Sequence, residues 1–405
     1  MKSGGEKMPR DGWILLTARG VFSLLESMLL VGLILRVEAS GAGTLANAGL
    51  MIAMAIPAVV TMRWAGRTAD RVDSRRILTW AIAVEFIACL VLATGFTLRP
   101  GWVMYAACLV FQAGFSFANP VWMILIPKIV GEDRVQKLAG MQMLVTSFAS
   151  PAGSALAGIL VDVAGTRIVP LVVAGLLCVV GVLARVIRTR HQAEAGAEEQ
   201  AEKMGGMGVI GHDRILLSVL IGSMVTVLVV QGVNVVEVFL VREDLGVSAT
   251  LYGLTEVFFA VGTAVASTIV VRLITDKRRV WAITLGFAGC SLVCVAVSQV
   301  PNYYVYAGLS TLLGFANAIG NGALGPLFLL RAPESQRGRV MATLNGMFSS
   351  ASIFALFLGG LAGVWLSPRM TFLAGGLSSL PVIAVMGILA IPLTLRKTPP
   401  ADVEE

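Results

Sequence analysis

Twelve apolar stretches follow one another along the chain, near 13–35, 46–64, 77–97, 102–126, 139–161, 168–189, 213–240, 249–272, 279–299, 302–329, 340–365 and 371–395. Each approaches or exceeds the ~20 residues that a helix needs to cross the hydrocarbon layer, whereas barrel strands would show as alternating segments of about ten. Lipid offers no hydrogen bonds, so a spanning segment has to satisfy its own backbone, and a helix does so within itself. The pattern predicts an all-α membrane protein with twelve transmembrane helices.

Composition agrees, with 57% hydrophobic and 14% charged residues and a mean hydropathy of +0.84. A net charge of +7 would suit a nucleic-acid partner, but the basic residues sit between the spans instead of on one soluble face, so none is expected. With the N-terminus inside, the external segments carry Arg36, Arg99, Arg167, Arg242 and Arg369, Arg19 lies in a span, and the remaining Lys and Arg gather on the cytoplasmic side. Positive charge is retained inside, which predicts a multi-pass protein of the inner (plasma) membrane with both termini cytoplasmic. The polar residues before Trp13 run into the first span without a small-residue cleavage site, as in an uncleaved first helix. Trp13, Trp64, Trp80, Trp102, Trp122, Trp281 and Trp365 fall near span ends, where an amphipathic ring prefers the headgroup layer. The five cysteines (Cys89, Cys108, Cys178, Cys290, Cys294) all lie within spans and are expected to be small buried apolar groups, without a disulfide or metal role.

Residues 190–212 form the one long polar segment and are expected to link a six-helix bundle at 1–189 to another at 213–405. The halves echo each other. Gly114-Phe-Ser-Phe-Ala-Asn119 in span four recurs as Gly314-Phe-Ala-Asn-Ala-Ile-Gly-Asn321 in span ten, and Ala157-Gly158 in span five as Gly359-Gly360 in span eleven. Internal duplication with pseudo-symmetric bundles is the simplest account.

The stretch Gly66-Arg-Thr-Ala-Asp70-Arg71-Val-Asp73-Ser-Arg75-Arg76, between spans two and three, resembles the G-x-x-x-D-R-x-x-x-R-R loop signature of the major facilitator superfamily. Asp73 in place of the second glycine is similar to the macrolide-efflux-like branch of its drug:proton antiporters. So are Arg19 through Glu26, Pro120 through Pro127, and Arg337-Gly-Arg339-Val. Ser150-Pro151-Ala-Gly153-Ser154-Ala-Leu-Ala157-Gly158 resembles the Gly-Pro-x-x-Gly-Gly signature of antiporters, with Ser150 replacing the first glycine. Span four carries Val110 near the point where proton-linked exporters of the superfamily often hold a buried arginine. The resemblance implies the major facilitator fold, with spans one, four, seven and ten lining a central cavity and a substrate site between the halves.

Charges inside apolar spans cost at least a few kcal/mol unless they meet a partner or a polar space. Arg19, Ser23 and Glu26 share one face of span one, and Gln231, Asn234 and Glu237 one face of span seven. Gln112, Ser116 and Asn119 on span four, with Ser310, Asn317 and Asn321 on span ten, complete four polar stripes expected to form the substrate cavity. Desolvation favours the neutral form of a carboxyl group, and release of its proton on arrival of a cationic substrate or water would couple the two fluxes. That is the role expected of Glu26 and Glu237. Glu85 and Glu256 are expected in pairing or interface roles. Gly66, Asp70, Arg71, Arg75 and Arg76, with Arg337 and Arg339, are the expected cytoplasmic gate; Ser150, Pro151, Gly153, Ser154 and Gly158 form the antiporter-like motif, expected to serve close helix packing or a leak barrier.

No enzyme is expected, since both histidines, His191 and His212, fall in the linker and no metal spacing or P-loop occurs. No cofactor is implied. The expected activity is export of small amphiphilic or drug-like molecules by proton antiport with alternating access, by a monomer surrounded by membrane lipids. A proton-coupled uptake symporter for a nutrient or siderophore, or a lipid transporter, is the alternative.

Overall fold

The computed structural model describes residues 9–94, 101–131, 134–187, 206–273 and 278–395, which are almost wholly helical. The helices are α1 (Arg10–Ala39), α2 (Gly43–Arg71), α3 (Ser74–Ala93), α4 (Trp102–Val130), α5 (Val135–Ala164), α6 (Ile168–Val186), the short α7 (Gly206–His212), α8 (Arg214–Phe239), α9 (Ala249–Leu273), α10 (Arg279–Val297), α11 (Tyr303–Arg331), α12 (Arg337–Trp365) and α13 (Pro368–Leu395). Twelve of them are long and apolar enough to cross a membrane, and they correspond one to one with the expected spans. At 30 residues α1 is roughly 45 Å long, so its ends extend past a ~30 Å hydrocarbon layer.

Local chemistry sets several boundaries. Asp73 caps α3 by accepting from the backbone N–H groups of Arg75 (2.9 Å) and Arg76 (3.4 Å). Asn302 does the same for α11, accepting from Val305 N–H at 3.1 Å. Gly131 (φ 74°) and Gly165 (φ 79°) end α4 and α5 in the left-handed region that disfavours a Cβ. Beyond Phe239, α8 widens into a π-helical turn at Leu240–Asp244, so this span runs past its expected end.

Packing gathers the chain into two compact units, Met1–Gln200 with Val238–Val257, and Ala201–Glu237 with Phe258–Glu405. In the first, α1 lies along α5 and α6, α2 along α4, and α3 along α4 and α6. In the second, α10 lies along α11 and α13. There α8 meets α12 where Gly232 and Gly359 touch backbone to backbone, and α9 meets α11 where Gly262 approaches Thr311 and Gly314 approaches Phe259. Numbered as spans, the contacts 1·5, 2·4, 3·4 and 3·6 recur as 7·11, 8·10, 9·10 and 9·12, so the duplication read from short strings extends to the packing.

Large apolar side chains cover the outside of the helices, including Val163, Phe148 and Ile388, as lipid-facing positions require. Three expectations need amendment. Trp122 is not an interfacial anchor: it is fully buried, its ring 6.2 Å from that of Phe22, because α4 continues through Pro120 and Pro127 to Val130 and carries it inside. The other six tryptophans are exposed. Cys178 is exposed on α6, whereas Cys89, Cys108, Cys290 and Cys294 are buried. Residues 188–205 of the polar stretch between the halves, with His191, lie outside the described residues; its last part is α7, whose Ile210 is buried with Leu216, Val340 and Leu344.

Candidate functional site

In the first unit the polar face of α1 is cut into an apolar helix. Arg19, Ser23 and Glu26 are half-buried while Phe22, Leu25, Met28 and Leu29 are buried, which is the three- and four-residue step of one helix face. Arg19 donates from Nη2 to Asn119 Oδ1 on α4 at 2.7 Å. Its guanidinium carbon lies 5.8 Å and 5.9 Å from the ring centroids of Phe22 and Phe115. These rings stack at 4.8 Å, nearly parallel, so the cation rests beside an aromatic pair. Gln112 Nε2 donates to Glu26 Oε1 over 3.5 Å, the outer limit of a hydrogen bond. Ser116 is turned back on its own helix, donating to the Gln112 carbonyl at 2.8 Å. Glu85 on α3 is completely buried, and neither carboxylate oxygen has a hydrogen-bond partner. Of the pairing or interface role expected of it, the pairing is absent, and the side chain lies at the interface with α4 beside Gly114; Glu256, given the same expectation, is exposed on α9.

The second unit has its own stripe. Gln231, Asn234 and Glu237 are half-buried, with Val233, Val235 and Val236 buried between them. Asn234 donates to Gln231 Oε1 at 3.0 Å, and Glu237 Oε1 accepts from the Tyr306 hydroxyl at 2.6 Å. On α11, Ser310 is buried, and Asn321 Nδ2 donates to Asn317 Oδ1 at 3.0 Å and to its carbonyl at 3.1 Å. Tyr306 was not singled out from the sequence, where a tyrosine near a span end reads as an interfacial ring.

The loop signature is split by structure. Gly66, Asp70 and Arg71 complete the last turns of α2, and the Asp70 side chain lies outside the described residues. Arg75 donates to the carbonyls of Arg185 (2.7 Å) and Ile187 (3.0 Å), which ties the start of α3 to the end of α6; Arg76 is exposed. In the second unit Arg337 donates to the Leu329 carbonyl at 2.9 Å and pairs with Glu334 at 3.4 Å, and Arg339 is exposed. Asp276 and Lys277 lie outside the described residues.

The antiporter-like motif packs helices closely. Ser150 Oγ is 2.6 Å from Ser27 Oγ, and a Cβ added at Gly153 would strike the Leu24 carbonyl of α1. Gly158 lies against the Ala249 carbonyl, and Ser154 is the residue whose backbone meets Gly253. Pro151 is carried inside α5.

Next to this motif is a cluster absent from the sequence reading. Asp162 accepts from the backbone N–H of Ala249 (3.0 Å) and Thr250 (2.7 Å) and from the Thr250 hydroxyl (2.6 Å), so it closes the first turn of α9. Nearby, Arg242 in the π turn pairs with Glu38 at 3.5 Å. Asp162 stands one residue past the expected end of span five, which is why it was not counted among intramembrane charges; Ser248 just before α9 was the available sign of a helix start.

Twelve spans in two similarly packed sets, each with a polar stripe on an otherwise apolar helix, define a membrane carrier fold. The model of the Major Facilitator Superfamily matches residues 15–240 and 219–405, and the chain belongs to that superfamily. Macrolide efflux protein A of Streptococcus pyogenes is 21% identical over 327 residues, 77% of this chain and 79% of that protein. Its Enterococcus faecalis namesake is 20% identical over 302 residues, 71% of this chain and 91% of that one. A bacterial homologue of the iron transporter ferroportin, in an inward-facing state, superposes with a TM-score of 0.71 at 16% identity, covering 96% of this chain and 100% of that one. Nucleoside transporter NupG superposes with a TM-score of 0.72 at 13% identity, with the same coverage. The chain is therefore a multi-pass membrane transporter, not an enzyme.

Proposed function

We propose that the protein exports small amphiphilic or drug-like molecules in exchange for protons by alternating access, from a cell (plasma) membrane in which both termini are cytoplasmic. The observation that carries this reading is Glu26, a half-buried carboxyl within an apolar span, with Arg19 and Asn119 on one side and Gln112 on the other. A charge kept inside a membrane helix is expensive and signals an ion or substrate path. The similarity to macrolide efflux proteins supports export as the direction and macrolides as a first substrate class to try. In this reading Glu26 and Glu237 carry the proton. Arg19, Ser23, Gln112, Ser116, Asn119, Gln231, Asn234, Ser310, Asn317 and Asn321 contact the substrate, and the arginines of the α2–α3 and α11–α12 loops serve the gate.

The test is expression in an efflux-deficient host challenged with macrolides and lipophilic cations, with and without a protonophore. Export predicts raised tolerance that the protonophore removes. Accumulation of the compounds when the outside is acidified would overturn export in favour of uptake.

A further inference from the structure

Between α3 and α6 of the first unit runs an open groove that no part of the proposed transport cycle uses. Its cavity of about 410 Å³ has the buried Ile82 and Leu177 as a floor, Phe86, Ile87 and Val182 as walls, and Cys178 exposed inside it. Gly181 lines it without a side chain to fill it. From Thr79 to Ile87 the groove follows eight residues of α3. That is about 12 Å of helix, which fits within the ~15 Å that one leaflet of a ~30 Å hydrocarbon layer supplies.

At Thr79 the groove adjoins a second cavity, of about 370 Å³, lined by Asp73, Arg75, Arg76 and Trp80, and the same end of the first reaches Arg185. Arg75 holds the two helix ends together by donating from Nη2 to the carbonyls of Arg185 and Ile187, and its Nε is buried with no acceptor among the described residues. Arg76 and Arg185 are exposed, and among the described residues neither forms an ion pair. The one carboxylate lining either cavity, Asp73, is engaged with the backbone N–H groups of Arg75 and Arg76. Three guanidinium groups therefore gather where there is one carboxylate. The Thr79 hydroxyl donates to the Arg75 carbonyl at 2.7 Å, so the groove beyond it stays apolar.

An apolar groove within one leaflet's depth that ends in surplus positive charge is the complement of an acyl chain joined to an anionic headgroup. A free anion would need no groove, and an uncharged lipid no arginines. Trp80, exposed beside them, has the ring that prefers the headgroup layer. We infer that this groove binds one anionic phospholipid, an acyl chain lying against Ile82, Phe86 and Val182 and the phosphate meeting Arg76 and Arg185, with Arg75 fixing the two helix ends. In the topology proposed above this end is cytoplasmic, the side on which anionic lipids set a negative surface potential. The inference goes beyond the export reading and holds whatever the protein carries.

Delipidated full-length protein in detergent, titrated with phosphatidylglycerol, phosphatidylcholine or inorganic phosphate and read by native mass spectrometry, tests the site. Phosphatidylglycerol should bind in one saturable step and slow maleimide labelling of Cys178, the one exposed cysteine. Phosphatidylcholine, with the same chains and no net charge, should bind at least about fivefold more weakly, and phosphate should give no protection. Arg76→Gln and Arg185→Gln should each weaken phosphatidylglycerol about fivefold, the weight of one basic residue near anionic lipid, and leave phosphatidylcholine unchanged. Cys178→Trp, which fills the groove from an exposed position, should remove the bound lipid of either kind. The comparison between lipids uses the native protein and stands even if a variant does not fold. Equal binding of the two lipids, or phosphatidylglycerol binding that survives all three substitutions, would overturn the inference. Protection of Cys178 by phosphate alone would also overturn it, in favour of a free anion.

Discussion

Glu26 and Glu237 are alike in the sequence, each ending a short polar stripe on an apolar span, yet the two units hold them differently. Glu237 is tied by a 2.6 Å hydrogen bond from Tyr306 and lies seven residues before its span ends at Asp244, about 10 Å along the helix. Among the described residues Glu26 accepts a single side-chain hydrogen bond, the 3.5 Å one from Gln112, and it lies thirteen residues before α1 ends at Ala39, about 20 Å in. A short hydrogen bond to a hydroxyl favours one arrangement of a carboxyl, whereas a contact at the outer limit of hydrogen bonding restrains it less. The halves therefore share a scaffold but differ in the chemistry mounted on it.

The sharpest test of that difference is a pair of isosteric changes. Glu26→Gln is expected to cut proton-linked export at least about tenfold, a change of ~1.4 kcal/mol or more in the transport barrier. Glu237→Gln should have a smaller effect. Drug flux from proteoliposomes under an imposed pH gradient gives both numbers, and equal losses would erase the distinction between the units.

What the halves have in common can be broken on its own. Gly153 against Leu24 in the first unit and Gly359 against Gly232 in the second are the same kind of backbone contact between the first and fifth spans of each set. Gly153→Val and Gly359→Val should each destabilise by about 1–3 kcal/mol, the usual cost of overpacking, seen as a lower melting temperature in detergent. A large loss for one alone would mean that the repeated packing does not carry equal weight.

These contrasts were partly visible before any coordinates. Hydrophobic run length was enough for the twelve spans, because lipid demands long apolar helices. Helical periodicity was enough to place Arg19, Ser23 and Glu26 on one face. Cross-helix partners were not legible: the Tyr306 hydroxyl on Glu237, the burial of Trp122 against Phe22 and the lack of any partner for Glu85 depend on which helices touch. Asp162 was missed for a different reason, since a boundary error of one residue moved it from inside a span to a loop, and its target is the backbone of a helix start 87 residues on.

Asp162 belongs to the first unit alone, and its effect should be local. Asp162→Ala leaves the Ala249 and Thr250 N–H groups without their acceptor, and loss of a cap costs roughly 1 kcal/mol. Hydrogen exchange at those amides should speed up about fivefold, with export changed less than by Glu26→Gln. Unchanged exchange would mean that water replaces the carboxylate without loss.

The smallest effect is expected at Tyr306, and it bears most directly on the comparison. Tyr306→Phe keeps the ring and removes the donor, so Glu237 loses its 2.6 Å partner at a net cost of about 0.5–1.5 kcal/mol. If that bond is what distinguishes Glu237 from Glu26, then removing it should make export more sensitive to a later Glu237→Gln change than it is in the native protein. The double-mutant cycle on flux measures this coupling. Strict additivity would show that the hydroxyl and the carboxyl act independently, and the contrast between the two units would then rest on depth alone.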